Sequence, residues 1–181
     1  MKKTAPTSSP LLVLCISCLT FSSLALAQQA TQPRAEADQD TLVQTVRNAT
    51  RQYLNNVNAA TAAGYGPVLG CVSGPDHGAM GIHYVNPNLV NGPIDPTHPQ
   101  ALIYEPTSSG GYELVAVEFI ILAGDLPANS APQVGGHLMQ YIDAPNRYGL
   151  PPFFELHVWA WRDNPQGPFA DWNNHVTCTM Q

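Results

Sequence analysis

The sequence predicts an α+β domain, with one N-terminal helix packed on a twisted antiparallel sheet or small open β-barrel and fastened by one disulfide. Three observations predict it. Apolar residues recur at steps of three and four between residues 40 and 62. Fourteen of the seventeen prolines, with most of the glycines, follow Gly64 and separate short apolar runs. Two cysteines survive once an N-terminal leader is set aside.

The leader comes first. Lys2 and Lys3 form a basic start, Leu11 to Leu26 is largely apolar, and Ala25-Leu26-Ala27 is a small-x-small cleavage site. Residues 1–27 therefore read as a signal peptide, with Gln28 as the first residue of the exported chain. A rival reading, a lipoprotein cleaved before Cys18, truncates the apolar stretch. That stretch is too short and too broken for a comfortable membrane span. The expectation is a periplasmic or secreted protein with no stable membrane insertion after cleavage. Residues 28–39 are polar and Ala/Gln-rich and read as a disordered lead-in; residues 40–181 read as a single domain.

Removing the leader leaves five arginines, no lysine and all thirteen acidic residues, a formal charge of −8. Without lysine there is no Schiff-base chemistry and no P-loop. A chain this acidic is not built for nucleic acid or an anionic membrane surface. Cys15 and Cys18 leave with the leader. Cys71 and Cys178 remain, an even pair in an exported chain, which points to a disulfide. The other reading, a nucleophilic Cys71 with a histidine base, is disfavoured by an oxidising compartment.

The helix spans 40–62, with Leu42, Val46, Ala49, Tyr53, Val57 and Ala60 on one face. Asp38 and Asp40 suit its start and Gly64 its end. Strands are expected within 81–86, 101–105, 112–123, 136–142 and 153–161. Gly64 to Gly70 has the wrong spacing for a dinucleotide fingerprint, and the exported chain lacks G-x-S-x-G, H-E-x-x-H and C-x-x-C.

Few polar groups are forced inside. In "YELVAVEFIILA", alternation puts Val115, Val117, Phe119 and Ile121 on one face and Leu114, Ala116, Glu118, Ile120 and Leu122 on the other. Both faces are apolar, so Glu118 is buried and needs a partner, a metal or a raised pKa. In "FFELHVWAW", Glu155, His157, Trp159 and Trp161 share a face with Phe153, an aromatic wall with convergent polar groups that fits a pocket for a small molecule. In "GIHYV", His83 opens an apolar run beside Tyr84, another candidate for the pocket. If these strands face one interior, His83, His157 and Glu118 form a first shell for Zn, Cu, Mn or Fe, with Glu118 as third ligand or as the catalytic general base. His77 joins them only if Gly78 to Gly81 turns the chain back. An extended path separates it from His83 by roughly 20 Å. His98, His137 and His175 read as solvated, rim and disulfide-adjacent groups.

The succession "AAGYGP", Cys71, "GAMGIHY", "DPTHPQALIYE", "ELVAVEF", "LHVWAW", "NPQGPFADWN" and Cys178 resembles a group of small exported bacterial proteins. The resemblance covers most of residues 50–178 and brings no activity with it. Cys71, Gly81, His83, Tyr84, Glu118, His157, Trp161, Trp172 and Cys178 match the pattern; His77, His98, His137 and His175 do not. The functional expectation is an exported protein holding a divalent transition metal in a His/Glu site, with enzymatic action as one version. The alternatives are a small-ligand-binding module without chemistry and a disulfide-stapled interaction domain.

Overall fold

The computed structural model describes residues 1–2, 40–90 and 92–179. The cleavage site and the lead-in fall outside the described residues. Among the described residues no helix is long and apolar enough to cross a membrane.

The expected single helix is two. Helix α1 (Thr41–Thr50) starts at Asp40, whose carboxylate accepts from the backbone N–H groups of Leu42 and Val43, a cap worth about 1 kcal/mol. A 3-10 turn (Arg51–Tyr53) follows, and Asn55 then adopts a left-handed conformation that stops the chain. Asn56 restarts it by capping α2 (Val57–Ala62) through the Ala59 N–H. The apolar period ran through the break because Leu42, Val46 and Ala60 all bury against the same sheet. Polar capping chemistry at Asn55 and Asn56, which the period does not register, divides the helix.

The sheet is antiparallel throughout. Its strands are β1 (Gly66–Pro67), β2 (Val72–Gly74), β3 (Gly78–Val85), β4 (Ala101–Pro106), β5 (Tyr112–Leu122), β8 (Gln140–Ile142) and β9 (Phe153–Val158), in spatial order β1-β3-β4-β5-β9-β8 with β2 also on β3. A short α3 (Pro87–Val90) follows β3, and β6 (Gln133–Val134) pairs with β7 (His137–Leu138) as a separate ribbon. The path has two ends, so the sheet does not close into a barrel.

The register sorts the side chains into two faces. Tyr84, Leu102, Val117 and Val158 are successive cross-strand partners and pack under α1 and α2. The next row, Val85, Ala101, Glu118 and His157, points the other way. That second face is covered by the 143–150 loop and by a C-terminal strap. Tyr148 packs with Ala101, Ile120 and Phe153, while Val176 packs with Ala79, Ile103 and Trp159.

The strap is held at three points. Asn173 pairs its backbone with Ala79, the Thr177 N–H donates to Glu105, and Cys178 is bonded to Cys71 with a Cα–Cα distance of 5.5 Å. The strap comes so close that a Cβ at residue 78 would lie 2.1 Å from the Asn173 carbonyl oxygen, so Gly78, with a φ of +76°, has no substitute.

Two local departures move residues off their expected faces. A bulge between Ile103 and Tyr104 of β4 sets Tyr104 opposite Leu114 and leaves Val115 as the extra residue of β5. Leu114 therefore joins the helix side, and Val115 packs with Ile103, Ala116 and Trp159 on the strap side. The Val115 carbonyl in turn accepts from the N–H groups of both Trp161 and Arg162. The second departure is that β9 ends at Val158 instead of running to residue 161.

Candidate metal centre

Glu118 and His157 are direct cross-strand partners on β5 and β9. His83 enters from β3, two strands away, across β4. Its own partner there is Ile103, whereas Glu118 pairs with the methyl-sized Ala101, so His83 and Glu118 approach on a diagonal across β4. Two strand spacings are roughly 9.6 Å. The small residue lets an imidazole and a carboxylate reach across that gap, and His83 Nε2 lies 3.5 Å from Glu118 Oε2. The His83 and His157 rings stand edge to face, with centroids 5.9 Å apart. One potential ligand atom from each of His83, Glu118 and His157 lies within 4.8 Å of the others. These side chains are 7%, 5% and 0% exposed.

Burial sets the electrostatics. It lowers the His83 pKa to about 4, partly offset by the Gly81 backbone, and lowers that of His157 to about 3, with His83 as the secondary cause. Both rings are therefore neutral, the form that binds metal. His83 Nδ1 and both ring nitrogens of His157 are buried without a well-formed hydrogen bond. Each such atom costs about 1–3 kcal/mol unless something satisfies it. Burial also raises the Glu118 pKa well above the carboxylate range, reinforced by the charge of Glu155 and a hydrogen bond to it, and by Asp171. Glu155 is pushed up to about 7, by burial first; its bond to Glu118 acts in the opposite sense. This arrangement favours the protonated form of Glu118 over that of Glu155.

A cavity of about 50 Å³ opens beside these groups, bordered by His83, Glu118 and Glu155 and walled by Val68, Ile120, Tyr148 and Phe153 among others. It has room for a few waters or a ligand of a few atoms.

The remaining candidates are placed as follows. Glu155 lines the cavity, on the same face of β9 as His157. Trp159 is buried and stacks beside His157 at a centroid distance of 6.3 Å. Trp161 does not join that wall. The turn after Val158 swings it to the helix side, where its Nε1–H donates to Thr50 Oγ1 at 3.1 Å and Arg51 lies over its ring. Tyr84 is also on the helix side, packed against Tyr104 and Tyr112, because it is one residue out of phase with His83.

His77 is exposed beside Trp172 and lies outside the converging group. The segment expected to turn, Gly78 to Gly81, is itself strand, so extended backbone separates His77 from His83. His98 pairs with Asp95, His137 with Asp40, and His175 with the Asp163 carbonyl.

Two residues near the site have no periodic signal in the sequence. Tyr148 comes from a loop and donates its hydroxyl to Met80 Sδ at 3.5 Å. Asp171 comes from the strap and lies 3.9 Å from His157 Nδ1. Burial of the histidine and acid groups is compatible with a metal ion, and the bridge between Cys71 and Cys178 suits a non-reducing compartment. Comparison of the chain with protein-family models, with curated proteins and with solved structures found no match.

Proposed function

We propose that this is an exported metal-binding protein whose divalent transition ion is held by His83, Glu118 and His157. One observation carries the reading: His157 has both ring nitrogens buried without a hydrogen-bond partner beside a second buried imidazole and a carboxyl. Orphaned polar atoms of this kind call for an ion or water. Two neutral imidazoles and one carboxylate form a donor set used by Zn, Fe, Mn and Cu, and the ion would displace the proton that Glu118 otherwise holds. As a ligand, Glu118 is not free to act as a general base.

The neighbouring cavity leaves a coordination position open to water or a small molecule, the feature that separates a reactive centre from a closed structural one. A metal-dependent enzyme acting on a small substrate is the version this cavity favours. The test is elemental analysis of natively exported protein purified without chelator. Bound zinc, iron, manganese or copper whose amount falls in His83→Ala and in His157→Ala supports the reading. Folded protein that stays metal-free after exposure to each of these ions overturns it and leaves a hydrogen-bonded polar cluster.

A further inference from the structure

We infer that the centre accommodates a second divalent cation, ligated by Glu155, His157 and Asp171, with the His157 ring bridging the two positions. The inference rests on the metal-centre reading above and extends it. Potential ligand atoms of these three residues lie within 4.8 Å of one another, as do those of the first set, and His157 alone belongs to both sets. Its side chain is 0% exposed, and neither ring nitrogen has a hydrogen-bond partner. Asp171 Oδ1 lies 3.9 Å from Nδ1, which assigns that nitrogen to the strap side and leaves Nε2 for the side of His83 and Glu118. A single ion can satisfy only one of the two nitrogens.

The donors come from separate elements that the fold brings together. Glu155 precedes His157 by two residues on the same face of β9, and Asp171 is supplied by the strap. Asp171, with its side chain 24% exposed, gives this position an edge from which an ion can enter. The first position is more deeply enclosed.

The chemistry balances. A neutral imidazole coordinates through one nitrogen only, because the other carries a proton. The second cation displaces that proton to solvent and leaves an imidazolate that binds an ion at each nitrogen. Two divalent ions then face three carboxylates and one imidazolate, and the buried cluster is neutral. The nearby arginines are already engaged: Arg162 with Glu105 and Glu113, and Arg147 with the Ser73 carbonyl and the Trp172 ring.

The test uses the full exported chain, stripped and reloaded with Zn²⁺ for elemental analysis and with Cu²⁺ for electron paramagnetic resonance. Two ions per chain are expected in the unaltered protein, falling to one in Asp171→Asn and to one in His83→Ala. With copper, the unaltered protein should show the weakened signal of two ions coupled through the ring, and Asp171→Asn the full signal of an isolated ion. Because Asp171 lies at the edge of the strap and His83 inside the sheet, the two variants guard against a loss caused by misfolding of one. A stoichiometry of one that Asp171→Asn leaves unchanged overturns the second position while the first stands. Two ions retained in Asp171→Asn also overturns it. No ion in any form overturns both readings.

Discussion

Glu118 and His157 face each other across β5 and β9, and Ala101 continues their row on β4. The pairing follows from register: a slip of one residue would send both side chains under the helices and bring Val117 and Val158 to the cavity side. The polar cluster is thus a property of strand alignment as much as of residue identity.

If His83 and His157 ligate an ion as proposed, replacing either ring should sharply weaken binding at the shared position. His83→Ala and His157→Ala should each weaken zinc binding by more than the about 10–100-fold typical of residues that only support a ligand. His98→Ala and His77→Ala should leave it unchanged, since one is paired with Asp95 and the other lies outside the cluster. Competition with a chromogenic chelator measures all four; equal loss in His77→Ala would count against the assignment.

Cys71→Ala should destabilise the protein by about 2–5 kcal/mol. The bridge closes a sequence separation of 107 residues and anchors the strap that covers the site face. Urea denaturation of the oxidised protein against the variant gives the number.

The pH dependence of the metal-free protein has two opposing limbs. Glu155 is raised from 4.5 to about 7, so its contribution to stability is full below 4.5 and is lost as pH rises through 7. His83 and His157 are lowered from 6.5 to about 4 and about 3, so theirs is present above 6.5 and lost as pH falls through those values. Over the shared range the limbs offset each other in the parent protein. Glu155→Gln removes the first, with the part of the Glu118 shift that Glu155 causes, and leaves the histidine limb in place. In chelator, the Tm advantage of Glu155→Gln over the parent should widen as pH rises from 4.5 to about 7 and then level off. A constant difference would contradict the raised Glu155 pKa.

Trp161→Phe should cost about 1 kcal/mol through loss of the hydrogen bond to Thr50. It should not alter metal affinity, because the ring lies on the helix side of the sheet. Denaturation and metal titration of the same preparation separate the two effects.

Export predicts a defined end. Mass spectrometry of the exported chain should find Gln28 first, in open or cyclised form; a diacylglycerol-modified Cys18 would place the protein on a membrane instead.

The legible parts of the fold were those with a period. Alternation in β5 and β9 put Glu118 and His157 inside, and the step of two linking Glu155 to His157 placed both on one face. The same period misled wherever backbone geometry interrupts it. The bulge at Val115 swaps Leu114 and Val115 between faces, and the turn after Val158 carries Trp161 away from Trp159. Neither event changes residue composition. Asp171 and Tyr148 were not legible because they reach the site from irregular segments, where sequence spacing says nothing about direction.

The strap has a consequence for the order in which the protein matures. Its terminal anchor is a covalent bond that forms only where thiols are oxidised, and the same segment carries Asp171 to the edge of His157. A chain still inside a reducing cell would have an unfastened cover over its imidazoles and carboxyls, and would hold ions there loosely. If the protein is exported and binds metal as proposed, fastening would follow translocation and the retained ion would be drawn from the metals available outside the cell. Intrinsic affinities rank copper above zinc, and zinc above manganese, at almost any site of this kind. On that proposal the place of closure, more than the identity of the donors, would decide which metal the protein takes up.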